Sequence, residues 1–107
     1  MKIRNSKNLE GFKNNHNIEK AVKLLDKNYC QIVQMNLNPQ DTVIEHKTPV
    51  DVSFFIVEGK VMMKIGDEEK KVKEGDLIES PKNIVHSFKN EFDEKAKVLV
   101  IKHMKSK

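Results

Sequence analysis

The sequence predicts an all-β fold, a small sandwich or barrel of about eight short strands. Runs of strand-forming residues recur along the chain, and glycines at positions 59, 66 and 75 separate several of them. The length of 107 residues suits one domain with one hydrophobic core. Apolar residues make up 37% and charged residues 34%, which is typical of a globular protein with a well-solvated surface.

The net charge of +4 lies on the two ends of the chain. Residues 1–27 carry seven basic and three acidic side chains, and residues 102–107 carry three lysines. The segment between them, residues 28–101, has ten basic and thirteen acidic side chains. Because the body of the protein is mildly acidic and tryptophan is absent, the sequence predicts no nucleic-acid partner.

Three features of the sequence bear on the compartment of the protein and on its association with membranes. No stretch approaches the roughly 20 apolar residues of a membrane span, and the N-terminus lacks the apolar run of a signal peptide. A single cysteine, Cys30, cannot form an internal disulfide. We therefore predict a cytoplasmic protein with no membrane partner.

The N-terminal residues 1–28 are predicted as an extension with one short helix. Residues 1–16 show no clear period, and His16 within them is predicted to be solvent-exposed. Apolar residues at 18, 21, 22, 24 and 25 favour an amphipathic helix from Ile18 to Leu25. Asn17 suits its N-cap, and Lys27-Asn28 suits its end.

Residues 29–107 are predicted to form the β domain. Its first strands are Tyr29 to Leu37, Thr42 to His46, Val52 to Val57 and Lys60 to Ile65, with a turn at 38–41. Apolar residues of the third run fall on both faces, which indicates cover on both sides. Gly66-Asp67 and Gly75-Asp76 are predicted turns. The later strands are Lys70 to Lys73, Leu77 to Glu79, a strand carrying His86, and Lys97 to His103.

A long pattern with fixed spacing joins Gly75, Pro81, His86 and Asn90. It resembles the second signature motif of the cupin superfamily, which consists of small jelly-roll barrels. Asn83 stands where that motif has its middle glycine. Asparagine tolerates a positive φ better than most residues, so we expect the turn there to persist.

The first cupin motif fits the same chain in its spacing and only partly in its residues. His46 and Gly59 match, whereas Gln40 replaces the first glycine. Thr48 replaces the second histidine, and Val52 replaces the glutamate. The resemblance covers roughly residues 29–103 and implies a cupin-type jelly-roll barrel.

In metal-binding cupins the ligands are the two histidines and the glutamate of the first motif and the histidine of the second. The resemblance therefore implies a site at His46 and His86 for a divalent transition metal, namely Fe, Mn, Ni, Cu or Zn. His103 could complete it, although a surface position suits this residue as well. In the alternative, the two histidines line a metal-free pocket and hydrogen-bond a small organic ligand or each other.

These alternatives predict different functions. A metal at the pair implies an enzyme such as an oxygenase or isomerase, whereas a metal-free pocket implies a module that binds or senses a small molecule. A barrel that has lost its chemistry is a third possibility. Strand alternation predicts a pocket lined by Thr48, Val52, Phe54, Ile56, Met63 and Phe88.

The opposite side of the third strand, with Ser53, Phe55 and Val57, is also largely apolar. Such a face requires cover. Because small cupins resemble one another in pairing through sheet faces, we predict a homodimer.

Overall fold

The computed structural model describes residues 1–104, and over that range it contains nine β-strands in two antiparallel sheets. The predicted all-β class is therefore confirmed. Within this range, no helix is long and apolar enough to cross a bilayer. The strands are β1 (Lys20–Asp26), β2 (Cys30–Leu37), β3 (Thr42–His46), β4 (Asp51–Glu58), β5 (Lys60–Ile65), β6 (Glu68–Lys73), β7 (Leu77–Ser80), β8 (His86–Lys89) and β9 (Ala96–His103).

The two sheets stack as a sandwich with jelly-roll connectivity. One has five strands in the order β1-β2-β9-β4-β7, and the other has four in the order β3-β8-β5-β6. Successive strands repeatedly change sheet, as from β2 to β3 and from β4 to β5. The last three residues of the predicted domain, 105–107, lie outside the described part of the chain.

The core lies between the sheets because strand residues alternate between inward and outward positions. On β4 the buried residues are Val52, Phe54 and Ile56. On β9 Val98 and Val100 are buried in the same way. Phe88 of β8 and Leu37 of β2 are two further large buried side chains of this core.

The predicted helix from Ile18 to Leu25 is wrong. Residues 20–26 form β1, and the only helical element within residues 1–104 is a single 3₁₀ turn, Ser6–Asn8. The pairing of β1 with β2 shifts register between Lys23 and Leu25, which is a β-bulge. An extra residue in a strand breaks the two-residue period, so the apolar positions acquire a spacing close to that of a helix.

The residues before position 29 contribute to the same sandwich. β1 pairs with β2 as the outermost strand of the five-stranded sheet. The Phe12 N–H donates to the Ala21 carbonyl at 2.9 Å, and Asn17 forms an isolated bridge with Thr42.

Two predicted turns are present as expected. Gly75 has a φ of 94°, and Asn83 has a φ of 65°, so asparagine does adopt the left-handed conformation that the motif's glycine would adopt. Gln40, at the first glycine position of the other motif, also has a positive φ, of 75°.

Candidate functional site

The two predicted site histidines lie next to each other. His46 ends β3, His86 begins β8, and the two are register partners in the four-stranded sheet. Their Nε2 atoms are 3.0 Å apart, and the rings meet edge to face with centroids separated by 4.4 Å. The pair is therefore hydrogen-bonded within itself, one of the arrangements expected for a metal-free pocket.

The hydrogen bonds of the pair fix its protons. His46 Nδ1 lies 2.9 Å from the Ile44 carbonyl, which can only accept, so this nitrogen carries the proton. His46 Nε2 is then the acceptor and His86 Nε2–H the donor. His86 Nδ1 in turn accepts from the Ser80 hydroxyl at 3.0 Å. A directed chain thus runs from Ser80 through His86 and His46 to Ile44.

The imidazole of His86 is uncharged at neutral pH. His86 is only 2% exposed. Burial, followed by the proximity of His46 and Lys102, lowers the pKa of His86 from 6.5 to about 4. Burial, followed by the proximity of His46, also lowers the pKa of His16.

A cavity of about 230 Å³ lies between the sheets and is bordered by His46. His86 stands behind His46, outside the cavity wall, and contacts Phe54 edge to face at 5.1 Å. The wall is largely apolar, with polar groups at one side. Its residues are Phe12, Asn14, His16, Lys23, Gln31, Val33, Met35, Val43, His46, Phe54, Phe88, Val100 and Lys102.

The predicted pocket residues divide into two groups. Phe54 and Phe88 line the cavity. The second group, which is buried but does not form the cavity wall, comprises Thr48, Val52, Ile56 and Met63. Of these, Thr48 uses its backbone carbonyl to accept from the Asn83 N–H at 2.8 Å.

Five polar residues of the cavity wall were missed by the sequence analysis, of which His16 and Lys102 matter most for its chemistry; the others are Asn14, Lys23 and Gln31. His16 is partly buried rather than solvent-exposed, its ring centroid lies 5.4 Å from that of His46, and its Nδ1 accepts from the Ile44 N–H. No local pattern in the irregular N-terminal segment indicates this. Lys102 faces inward, and its parity with Val98 and Val100 on β9 was the signal that could have identified it.

His103 lies away from the histidine pair. It is exposed at the end of β9, where its Nε2 is 2.9 Å from the Ser53 hydroxyl. Both residues border a separate and more open concavity of about 600 Å³, together with Asp51 and Glu79. This position agrees with the alternative of a surface histidine.

The donors around the pair do not fit a firmly held divalent metal. Two imidazoles remain of the four family ligands, and Val52 has no donor atom at the glutamate position. Lys102 places an ammonium group in the same cavity wall, where it opposes a cation. Within residues 1–104, no group of three or more His, Cys, Asp or Glu side chains is arranged to hold a metal ion. The metal site at His46 and His86 stays a prediction.

Solved structures share this architecture at low sequence identity. A predicted oxalate decarboxylase from Thermotoga maritima superimposes with a TM-score of 0.86 at 18% identity, covering 97% of this chain and 100% of that one. The polyketide cyclase RemF from Streptomyces resistomycificus gives 0.84 at 16%, covering 98% and 80%. An RmlC-like cupin from Shewanella frigidimarina gives 0.83 at 12%, covering 97% and 91%. Such identities indicate a shared fold only.

No curated protein sequence matches this chain significantly. The sequence model of the cupin domain, in contrast, matches residues 33–102, which run from the middle of β2 nearly to the end of β9. This span contains both motif histidines and eight of the nine described strands, counting β2 as partly covered. The chain therefore belongs to the cupin family.

Proposed function

We propose that this protein is a small-molecule-binding cupin that holds its ligand between the two sheets, against His46. The observation that supports this most directly is the cavity of about 230 Å³ whose wall joins the rings of Phe54 and Phe88 to the imidazole of His46. An apolar enclosure with a few convergent polar groups is the usual form of a ligand site. His86 and Ile44 fix the orientation of the His46 ring through its two nitrogens.

The chemistry of the site favours binding or sensing over catalysis. Both nitrogens of His46 already have partners, so this imidazole is not a free base. Among the described residues of the wall there is no Asp, Glu, Ser or Cys that could act as a nucleophile or as an acid. The cavity therefore offers a ligand its shape, its enclosure and the polar groups of Lys102 and His16.

The test is a two-dimensional amide NMR titration of the protein with a library of small fragments. We expect some fragments to shift amides of the inward-facing residues on β2, β4, β8 and β9. Val100→Phe, which places a ring in the cavity, should abolish these shifts. Leu99→Phe adds the same ring to the outer face of the same strand and should leave them intact. Fragments that bind Val100→Phe as well as the wild type would contradict the proposal.

A transition-metal site at His46 and His86 is the second candidate, and the spacing of the pair favours it. Two nitrogens bound to one ion at about 2.0–2.1 Å lie roughly 3.0–3.4 Å apart, and the Nε2 atoms are 3.0 Å apart. To offer both lone pairs, His86 would move its proton to Nδ1 and donate to Ser80, whose hydroxyl can rotate to accept. Any ion held there would complete its coordination with water or ligand.

Elemental analysis of protein purified without a tag or chelator tests this candidate. Near-stoichiometric metal in the wild type, lost in the His46→Ala/His86→Ala double variant, would support the metal site. Absence of metal after anaerobic soaking with iron, manganese, nickel, copper and zinc would leave the metal-free binding site as the proposal.

A further inference from the structure

The cavity wall carries two lysines, and only one of them has an acidic partner among residues 1–104. Among its described residues are two lysines, Lys23 and Lys102, and no aspartate or glutamate. Asp26 lies outside the wall, and its carboxylate accepts from Lys23 Nζ at 3.4 Å and from Gln31 Nε2 at 3.2 Å. Lys102 forms no ion pair with any residue of the range 1–104. Its ammonium group is thus free to meet a ligand.

Lys102 lies opposite a position of the first cupin motif in the five-stranded sheet. It pairs across β4 and β9 with Val52, the residue at the position of the family's metal-binding glutamate. Both side chains belong to the inward series of their strands. Where other members of the fold can place a carboxylate for a cation, this chain has an apolar residue beside an ammonium group.

His16 adds a second donor to the same wall. Its Nδ1 accepts from the Ile44 N–H at 3.1 Å, so the neutral ring carries its proton on Nε2. No residue of the described chain is hydrogen-bonded to that Nε2–H. Lys102 and His16 are therefore two donors of the wall with no partner among residues 1–104, whereas His46 is occupied at both nitrogens. Of the two carboxamides in the wall, Asn14 is bonded at both ends, and Gln31 donates to Asp26 and keeps its Oε1 as an acceptor.

The rest of the wall sets the size and character of the ligand. Phe54, Phe88, Val43 and Val100 form an apolar body around the polar side. The volume of about 230 Å³ is below the roughly 300–1,000 Å³ of sites for drug-sized ligands. A compact molecule with one apolar group fits this space.

We propose that the cavity binds a small organic carboxylate, with its carboxylate held by Lys102 and His16 and its apolar body against Phe54 and Phe88. This inference rests on the proposed binding function and adds the chemical class of the ligand. A carboxylate supplies the acceptors that the two donors lack, and a charge-assisted hydrogen bond to an ammonium group is among the stronger polar contacts. A metal cation or an amine would instead meet the positive charge of Lys102.

The test is calorimetric titration with three probes of nearly equal shape, benzoate, benzamide and benzylamine, and with the smaller acid isovalerate. We expect the two carboxylates to bind the wild type, benzamide to bind at least about 10-fold more weakly, and benzylamine not to bind. Lys102→Met should weaken benzoate about 10- to 100-fold while leaving benzamide unchanged. Lys97→Met, on the outer face of the same strand, is the control and should bind as the wild type does.

Several outcomes separate the inference from the function on which it rests. Equal binding of benzamide and benzoate, abolished by Val100→Phe, would overturn the carboxylate inference and leave the binding cavity standing. Unchanged benzoate affinity in Lys102→Met would likewise overturn it. If no probe of any charge bound, and the NMR fragment titration were also blank, both proposals would fail. Loss of benzoate binding in His16→Gln together with Lys102→Met would support the two-donor arrangement.

Discussion

His86 shows how a polar side chain can be buried without cost to the fold. Its Nδ1 accepts from Ser80 and its Nε2 donates to His46, so both nitrogens are satisfied although the residue is 2% exposed. The same burial disfavours the charged form and lowers the pKa of His86 to about 4. Protonation would also bring a positive charge close to His46 and Lys102.

The first prediction concerns the dependence of stability on pH. The folded pKa of His86, about 4, lies below its usual 6.5, so the unfolded chain binds the proton more readily. The stabilisation is therefore present above pH 6.5 and is lost as the pH falls toward 4. We expect urea denaturation to show about 1–3 kcal/mol less stability at pH 4.5 than at pH 7 from this residue alone.

The matched variant is His86→Gln, which retains polar groups and does not titrate. Its loss of stability between the two pH values should be smaller than that of the wild type by the same amount. Parallel curves for the two proteins would show that His86 is not the titrating group.

The second prediction compares the two histidines of the pair. His86 is enclosed, whereas His46 is partly exposed and borders the cavity. We expect His86→Ala to cost about 2–4 kcal/mol, because it leaves a void and an unpaired Ser80. His46→Ala should cost about 1–2 kcal/mol less. Thermal and urea unfolding of both variants measure the difference, and an inverted order would mean that the cavity does not lie on the His46 side.

At this scale the sequence identified only part of the site. His46 and His86 were found because their spacing follows a family motif, and Phe54 and Phe88 because inward residues alternate along a strand. Lys102 follows the same alternation, but a lysine near a chain end is ordinarily solvated, so its inward position was not evident. His16 reaches the cavity through a loop, and a loop has no period from which a contact can be predicted.

Strands flanked by clear turn residues were predictable. β3 and β5 have the predicted limits of Thr42–His46 and Lys60–Ile65, although β3 shifts register against β8 between Val43 and His46. β1 was misassigned because its bulge near Leu25 changes the phase of its apolar residues, and because its pairing with β2 depends on residues distant from the local pattern. The turns that use a positive φ were predicted at Gly75 and Asn83, where the motif requires a glycine.

The third prediction concerns Gln40, which adopts a φ of 75° in the turn between β2 and β3. A left-handed conformation is strained for a residue with a Cβ and unstrained for glycine. Gln40→Gly should therefore stabilise the protein by about 0.5–1 kcal/mol. Urea denaturation measures the change in the free energy of unfolding, and Gln34→Gly on β2 is a control that should be destabilising. A destabilised Gln40→Gly would show that its side chain contributes more than the strain costs.

The fourth prediction compares two glycines in the same backbone region. Gly59 has a φ of 76° and Gly75 a φ of 94°, so alanine is strained at both. A Cβ at Gly59 would lie 2.5 Å from the Lys95 carbonyl oxygen, whereas a Cβ at Gly75 would meet nothing within 4 Å.

Gly75→Ala should therefore cost about 1–2 kcal/mol, and Gly59→Ala at least about 1 kcal/mol more because of the added clash. The difference between the two unfolding free energies isolates the close approach of Lys95. Equal losses would mean that the turn after β4 can shift to admit a methyl group.

The molecule as a whole leaves one sheet face incompletely covered. Several outward residues of the five-stranded sheet form an apolar patch, in which Phe55 has Leu77 and Leu99 as its register partners. Leu77 is 58% exposed and Val57 38% exposed, so the cover that the sequence predicted for this face is not supplied by the described chain alone. We propose that a second copy supplies it, as a homodimer.

The fifth prediction tests this association. Sedimentation velocity should show a dimer for the wild type and a monomer for Phe55→Glu, because a charge in the centre of an apolar interface is costly to bury. Lys71→Glu on β6, in the other sheet, is the control and should remain dimeric. A monomeric wild type at high concentration would refute the homodimer, and a dimeric Phe55→Glu would place the interface elsewhere.

The outermost strands of the two sheets have a consequence for how such copies can meet. Unpaired backbone groups on an outer strand invite strand addition and, with it, aggregation. Here residue 12 bonds to β1 and Asn17 bridges to β3, while β7 has only four residues. The fourth outermost strand, β6, is largely exposed and consists of Glu68, Glu69, Lys70, Lys71, Val72 and Lys73. Each margin is thus blocked, short or charged, so we expect copies of this protein to resist joining into a continuous intermolecular sheet, which leaves the sheet face as the surface for the proposed dimer.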